Sequence, residues 1–169
     1  MKSPLMMGVT ATANIIESGC EEMIKTITIP LTNSLRFWQI YDNLHQTPET
    51  LSEQPTHILD KWIISRTNQF IQQMGSELDN YHTPNAASLI APYIEDLSTW
   101  YIRRSRKRFS SGDKQALWTL KHVLVLFAKA CAPIIPFISE FVYQTLSGSD
   151  QPESVHLCYW PEIEEKAID

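Results

Sequence analysis

The sequence predicts an all-α protein, an antiparallel helical bundle of four long helices plus a short fifth. Three observations indicate this fold class. Apolar residues recur at helical spacing through several long segments. Only five of the 169 residues are glycine, and no two alternating segments are joined by a hairpin turn. Hydrophobic residues make up 43% of the chain, which is enough for one buried core.

The first helix is predicted to begin after Ser18, because Ser18 and Glu21 are spaced as a capping box. Apolar residues then recur every three or four positions as far as Tyr41. Pro30 lies inside this pattern, and proline has no backbone N–H to donate to the preceding turn. We therefore expect the helix to kink or split at Pro30.

The second helix follows a polar, proline-bounded loop over residues 46–55. Thr56 is its candidate N-cap, and apolar residues from Ile58 to Leu78 trace a long helix. Gly75 lies late in this helix and is expected to be a weak point, because glycine is a poor helix former.

The third helix is predicted from about Pro84 to Phe109, with Thr83 as its cap and a bend at Pro92. The fourth is predicted to begin after Asp113 and to stop at the prolines of "PIIP". The segment "FISEFVYQTLSG" predicts the short fifth helix, and "SVHLCYW" near the end has the pattern of a short β-strand.

Charge is unevenly distributed along the chain, whose formal net charge is -5. Residues 1–99 hold five Lys or Arg against eleven Asp or Glu, and residues 130–169 hold one against seven. Residues 100–129 hold eight against one. The acidic total therefore says little about partners, whereas the distribution predicts one positive surface.

The positive charge is densest in "TWYIRRSRKRF", residues 99–109, which we call the basic segment. None of its five cations has an acidic residue three or four positions away, so neighbours on the same helix do not neutralise them. Arg108 falls at the edge of the apolar stripe on a helical wheel, so we expect it to pair with a carboxylate. The cations expected on the opposite face are Arg103, Arg106 and Lys107.

Two readings of the basic segment are open. Interaction with the C-terminal end of the helix dipole explains one or two cations, and acidic residues of another helix would cover others. Five cations favour a polyanion-binding surface instead. Trp100 adds a ring on which a base could stack, although a tryptophan in a bundle is more often core. The candidate nucleic-acid-binding residues are Trp100, Arg103, Arg104, Arg106, Lys107, Lys114 and Lys121.

The sequence contains no motif for catalysis, cofactor binding or metal binding. Its three cysteines are far apart, which argues against a disulfide framework and fits a reducing, cytosolic compartment. The longest apolar run is interrupted by Lys129 and two prolines, so no membrane span is predicted. We therefore expect no catalytic residue, cofactor, metal or membrane contact.

Several segments resemble the anticodon-binding domain of isoleucyl-tRNA synthetase, a class I aminoacyl-tRNA synthetase. They are "IPLTNSLRFWQIYDN", "LDKWIISRTNQFI", "IEDLSTWYIRRSRKRF", "APIIPFISEFVY" and "ESVHLCYWP". The basic run is the most specific, because the valyl and leucyl relatives share the bundle but are not expected to carry it. The sequence departs from the family pattern at Ser110, where Trp is expected, and at Tyr159, where Asp is expected.

The resemblance implies a domain that binds the anticodon arm of isoleucine-accepting tRNA, in a monomeric cytoplasmic ligase. It implies that residues 1–16 lead in from a catalytic core, that 17–148 form the bundle and that 149–169 are a C-terminal extension. The parent enzyme would use ATP and Mg²⁺, but this chain has neither "HIGH" nor "KMSKS". We therefore expect a fragment without the catalytic and editing domains.

Three alternatives stay open from the sequence. The chain could be the same domain of a valyl- or leucyl-type synthetase. It could be a helical protein-interaction module whose basic face docks on an acidic partner. Part of the arginine cluster could also dock the domain on the catalytic core of its own parent enzyme.

Overall fold

A computed structural model describes residues 17–51, 53–148 and 151–163. All regular secondary structure in that part is helical, which confirms the predicted all-α class. The helices are α1 (Glu17–Met23), α2 (Ile29–His45), α3 (Ile58–Asp79), α4 (Thr83–Ser88), α5 (Ile90–Glu95), α6 (Arg103–Ser110), α7 (Lys114–Cys131) and α8 (Pro136–Leu146). The expected lead-in over residues 1–16, and residues 149–150 and 164–169 of the expected extension, lie outside the described residues.

Two π-helical segments accompany the prolines inside the predicted helices. The first, Ile24–Thr28, joins α1 to α2 and ends two residues before Pro30, which lies in the first turn of α2. The second, Asp96–Ile102, joins α5 to α6. A bend was expected at Pro92, and the helix is interrupted at Leu89, between the end of α4 at Ser88 and the start of α5. A proline ring clashes with the carbonyl four residues earlier, which for Pro92 is that of Ser88.

The N-caps of the first two predicted helices differ from expectation. Ser18 lies inside α1, which is already helical at Glu17, so its prediction as N-cap is wrong. The prediction for Thr56 is also wrong, because its N–H and hydroxyl both bond to the side-chain oxygen of Gln115 on α7. His57 caps α3 instead, and its Nδ1 accepts a hydrogen bond of 3.1 Å from the Leu59 N–H.

The remaining two predicted caps have opposite outcomes. Thr83 is the first helical residue of α4 and His82 is the cap, because the His82 carbonyl already accepts the first helical hydrogen bonds. The prediction for Asp113 is confirmed, since its Oδ1 accepts hydrogen bonds from the N–H groups of Gln115 and Ala116. This cap fixes where α7 begins.

The turn between α6 and α7 requires a glycine. Gly112 has φ of 74°, in the left-handed region that favours glycine. Its N–H donates to the Phe109 carbonyl, and the Asp113 N–H donates to the Arg108 carbonyl, which is the Schellman arrangement at a helix end. The chain therefore turns directly from the basic segment into the cap of α7.

The bundle has four long helical units, which are α1 with α2, then α3, then α4 to α6, and then α7. The third unit, α4 to α6, and the fourth, α7, each pack between α2 and α3. Their centre holds a stack of three buried rings, with Tyr93 lying 4.5 Å from Phe70 and 5.4 Å from Phe127 between centroids. Burial raises the pKa of Tyr93, and its hydroxyl lies 2.8 Å from that of Thr67.

The segment after α8 folds back on the bundle without forming a strand. The strand predicted for "SVHLCYW" is wrong, because Val155–Leu157 form a 3₁₀ turn. The carboxylate of Glu140 on α8 accepts hydrogen bonds from the Ser154 hydroxyl and the Val155 N–H, which holds this turn in place.

Gly75 is a packing position in α3. The helix continues through it, and the indole of Trp160 lies 3.5 Å from where a Cβ on Gly75 would be. A Cβ at that distance would make an ordinary van der Waals contact with the ring, and the expectation that Gly75 weakens the helix stays a prediction. Within the described part of the chain, none of the helices has the length and apolar character needed to cross a membrane.

Candidate nucleic-acid interface

The basic segment begins in the second π-helical segment and ends in α6. The apolar stripe predicted along this unit is buried as expected; its members are Ile90, Ile94, Leu97, Tyr101, Ser105 and Phe109. Four of the five cations are exposed, namely Arg103, Arg104, Arg106 and Lys107. Among the residues that the structure describes, none of these four lies within ion-pair distance of a carboxylate.

Arg108 is paired with carboxylates, as predicted. Its guanidinium makes two parallel hydrogen bonds to Asp60, from Nη1 to Oδ1 at 2.7 Å and from Nη2 to Oδ2 at 2.6 Å. Its Nε donates to Asp113 Oδ2 at 2.7 Å. Burial acts to lower the pKa of Arg108, but the two carboxylates outweigh it and raise that pKa. Likewise, burial acts to raise the pKa of Asp113, but Arg108 and two backbone N–H groups lower it.

Asp60 is a residue whose importance the sequence analysis missed. It is fully buried, and its Oδ1 also accepts a hydrogen bond of 2.8 Å from the Tyr101 hydroxyl. Burial, together with Asp60, raises the pKa of Tyr101, so the hydroxyl stays a donor. An acidic residue is common in the first turn of an exposed helix, so nothing in the sequence marked this carboxylate as buried. The network ties α3, α6 and α7 together beneath the exposed cations.

Arg103 and Arg106 line an open cleft of about 410 Å³ between α2 and the third helical unit. The α2 side contributes Asn33, which is exposed, and Phe37. Ile102 is among the apolar residues of the cleft. Two guanidinium groups and an amide at one cleft are donors suited to phosphate oxygens. Asn33 was not among the candidate residues, because its position opposite the arginines depends on how the helices pack.

Trp100 lies on the other flank of the segment, toward α3. Its side chain is 50% exposed, so it is not a core tryptophan. The Arg104 guanidinium carbon lies 4.1 Å from the centroid of the Trp100 ring, in a cation–π contact. Trp62 of α3 lies 6.5 Å away between ring centroids. Sequence analysis did not select Trp62, because a tryptophan on an apolar helix face is most often core.

The two predicted lysines of α7 lie elsewhere. The Lys114 ammonium donates to the carbonyls of His45 and Gln46, where it caps the end of α2. Lys121 is half-buried, 6.0 Å from the ring centroid of Trp38, and lines a separate cleft. The structure therefore places Arg103 and Arg106 at one cleft and Arg104 with Trp100 on the other flank of the segment. The two lysines of α7 do not line that cleft.

Comparison with known proteins gives one family and a consistent set of relatives. The family model described as the anticodon-binding domain of tRNA ligase matches residues 60–169. The isoleucine--tRNA ligase of Cutibacterium acnes is 44% identical over 116 residues, which are 67% of this chain and 10% of that protein. Those of Chlamydia trachomatis serovar L2b and Protochlamydia amoebophila are 39% and 37% identical, over 87% and 88% of this chain. The chain spans about 10 to 15% of the length of these relatives.

Proposed function

This chain belongs to the family of anticodon-binding domains of tRNA ligases, and on that premise we propose that it binds the anticodon arm of an isoleucine-accepting tRNA. One observation carries the proposal. Four exposed cations of the basic segment have no carboxylate at ion-pair distance in the described part of the chain. Cations without a carboxylate partner can each contact a phosphate of an incoming polyanion.

The basic segment acts mainly through the RNA backbone. Arg103 and Arg106 offer planar guanidinium groups at the cleft, which can bind phosphate oxygens in pairs. Lys107 adds a point charge beside them. Each phosphate that they neutralise releases condensed counterions, which favours binding at low salt. These contacts position the RNA and carry no base information themselves.

The proposed role of this chain is RNA binding and includes no catalytic step. We infer that a catalytic core elsewhere in the parent ligase activates the amino acid with ATP and Mg²⁺ and is a second partner of this domain. The division into a lead-in at 1–16, a bundle at 17–148 and an extension at 149–169 belongs to the same proposal. We also propose that the parent ligase is monomeric and cytoplasmic. The cytoplasmic location agrees with the three cysteines, none of which forms a disulfide.

The proposal is tested by measuring the affinity of the whole chain for isoleucine-accepting tRNA in filter-binding titrations. The double variant Arg103→Glu, Arg106→Glu is expected to bind at least about 100-fold more weakly, since two lost charge-assisted contacts of ~1.5–3 kcal/mol each together cost ~3–6 kcal/mol. Circular dichroism is expected to show unchanged helicity, because both side chains are exposed.

A matched control reverses two cations away from the basic segment. Lys25→Glu, Lys129→Glu changes the net charge by the same amount, and neither residue lies in the basic segment or lines its cleft. We expect this control to stay within about threefold of the unchanged chain. An equal loss of tRNA affinity in both double variants would mean that net charge alone governs binding. The basic segment would then not be the RNA-binding surface.

A further inference from the structure

The outer face of α8 is apolar and open to solvent. Phe137 and Phe141 lie one turn apart on this face, and their side chains are 91% and 55% exposed. Val142 and Tyr143 are buried on the side of α8 that packs against the bundle. A single exposed phenylalanine needs no explanation, but two on one helix face form an apolar surface that has no partner within the described part of the chain.

The 3₁₀ turn after α8 adds further exposed apolar side chains. This turn is held on α8 by the Glu140 carboxylate, which accepts a hydrogen bond of 2.9 Å from the Val155 N–H. Leu157 in the turn is 62% exposed, and Tyr159 just after it is 95% exposed. We call Phe137, Phe141, Leu157 and Tyr159 the α8 surface. An aromatic side chain covers ~150–250 Å² when it is buried, so the α8 surface offers on the order of 400 Å².

The charge near the α8 surface is negative. The described part of residues 130–163 contains no Lys or Arg and three carboxylates, which are Glu140, Glu153 and Glu162. The hydrogen bonds that Glu140 accepts come from neutral groups, so they do not balance its charge. Carboxylates repel the phosphates of an RNA, and a second copy of the same surface would bring like charges together. The surface therefore suits an apolar partner with cations at its edge.

The α8 surface and the basic segment lie at opposite ends of α7. The basic segment leads through Gly112 into the start of α7, whereas α8 begins just beyond the end of α7 at Cys131 and packs back along it. The 18 residues of α7 span about 27 Å at 1.5 Å per residue. An RNA held by the basic segment therefore leaves the first turn of α8 open to another partner.

The remainder of the parent ligase is the partner that fits this surface. The chain spans about 10 to 15% of the length of its relatives, so most of such a protein is folded elsewhere and linked to this bundle. The α8 surface is smaller than the ~800 Å² that each partner buries in a stable complex of separate chains. Linked domains meet at an effective concentration on the order of millimolar, so a small interface is sufficient for them.

We propose that the α8 surface docks the bundle on an apolar, basic-edged surface of another domain of its parent ligase. This inference rests on the proposed membership of the chain in a longer ligase, and it adds which face of the bundle contacts the rest of that protein. Because α7 separates the two surfaces, the bundle holds RNA at one end while its other end is docked.

The test compares the whole chain alone with the parent ligase expressed at full length, both without RNA. Hydroxyl-radical footprinting measures the oxidation rate of each side chain, which follows its accessible area. Phe137 is expected to be oxidised at least about fivefold more slowly in the full-length ligase, because the core of an interface excludes water. Leu44, which is 68% exposed on α2, is expected to react at the same rate in both proteins.

Two matched double variants show which face makes the contact. Phe137→Gln, Phe141→Gln alters the α8 surface, and Ile40→Gln, Leu44→Gln replaces two exposed apolar side chains at the same spacing on α2. Hydrogen exchange over residues 136–146 is expected to be slower in the full-length ligase than in the isolated chain. The α8 variant is expected to lose this difference and the α2 variant to keep it. In the isolated chain, the α8 variant is expected to keep its helicity and to bind tRNA within about twofold of the unchanged chain.

Each contrary result points to a different explanation. Equal oxidation of Phe137 in the isolated chain and the full-length ligase overturns the docking proposal and leaves tRNA binding by the basic segment intact. Protection that grows with the concentration of the isolated chain would identify a second copy as the occupant, and protection by added tRNA would identify RNA; either result overturns the proposal. If the isolated chain fails to bind tRNA while α8 is protected in the full-length ligase, the proposed function alone falls.

Discussion

Arg106 and Arg108 lie two positions apart and carry the same charge, yet their surroundings differ. Arg108 is only 16% exposed and is held by Asp60 and Asp113, whereas Arg106 stays on the surface beside the cleft. The helical wheel predicted this difference, because angular position decides which guanidinium meets the core. It could not name Asp60, because that pair joins residues 48 positions apart and depends on how α3 packs.

Removal of Asp60 is expected to destabilise the bundle strongly. Asp60→Ala leaves the Arg108 guanidinium without its bidentate partner, and breaking a buried pair costs ~3–5 kcal/mol of unfolding free energy. We expect about 3 kcal/mol, because Asp113 still accepts from the Arg108 Nε. Urea denaturation monitored by circular dichroism measures this change.

The paired replacement is the control for Asp60→Ala. Asp60→Leu with Arg108→Met removes both charges together, so it is expected to recover at least half of the lost free energy. A single variant that unfolds within about 0.5 kcal/mol of the unchanged chain would show that the network does not hold the helices together.

The charge of Asp113 gives a pH-dependent contribution to stability. Its pKa is lowered in the folded chain, so the contribution is present above the unfolded pKa of about 3.9 and disappears as pH falls through the folded value. Asp113→Asn keeps a capping oxygen but loses the charge, and it is expected to cost ~0.5–1 kcal/mol at neutral pH. The measurement is the difference in unfolding free energy between the two chains across pH.

This difference is expected to be constant from pH 7 to about pH 5 and to shrink below about pH 4. Comparison with the Asn variant cancels the titration of the other carboxylates. A gap of the same size at acid pH would mean that the lost cap geometry, and not the carboxylate charge, causes the destabilisation.

At the scale of helices and turns, Gly112 is a position that does not readily accept a side chain. It has φ of 74°, and a Cβ there would lie 2.9 Å from His45 Nδ1. Gly112→Ala is therefore expected to destabilise the chain by ~1–3 kcal/mol, measured as a fall in the midpoint of urea unfolding. It would also disturb the turn that sets α7 against the basic segment.

Gly75→Ala is the matched control, since it makes the same chemical change in a helix interior. Its Cβ would meet Trp160 at an ordinary contact of 3.5 Å, so the gain in helix propensity of ~0.5–1 kcal/mol is expected to prevail. Equal stability of the two alanine variants would show that the positive φ at Gly112 does not require glycine.

The helices were largely predictable from the sequence, and their irregularities were not. Apolar spacing fixed α3 and α7, and the polar residue ahead of α7, Asp113, marked its start correctly. The π-helical segments escaped prediction because they depend on backbone hydrogen bonds with no distinct residue pattern. The cap of α3 escaped because Thr56, the better capping residue, bonds to Gln115 across the bundle.

For the whole molecule, the sequence predicted a positive surface but not the full set of residues that lie on it. Charge segregation and the absence of acidic neighbours identified the basic segment. Trp62 and Asn33 joined the candidate site only through packing of α3 and α2 against it. Lys114 was predicted on the same surface, but its ammonium binds carbonyls at the end of α2. One-dimensional spacing cannot decide which neighbour a long side chain reaches.

We propose that the exposed arginines at the cleft neutralise RNA phosphates. The most direct test is the slope of the logarithm of tRNA affinity against the logarithm of salt concentration, for the whole chain and two neutralised double variants. The first variant is Arg103→Gln, Arg106→Gln, and the control is Lys25→Gln, Lys129→Gln. Each lost phosphate contact is expected to reduce the slope by about 0.7–0.9.

We expect Arg103→Gln, Arg106→Gln to flatten the slope by about 1.5 and the lysine control to leave it unchanged. A slope in the arginine variant equal to that of the unchanged chain would contradict the claim, because it would show that neither guanidinium displaces a counterion from the RNA.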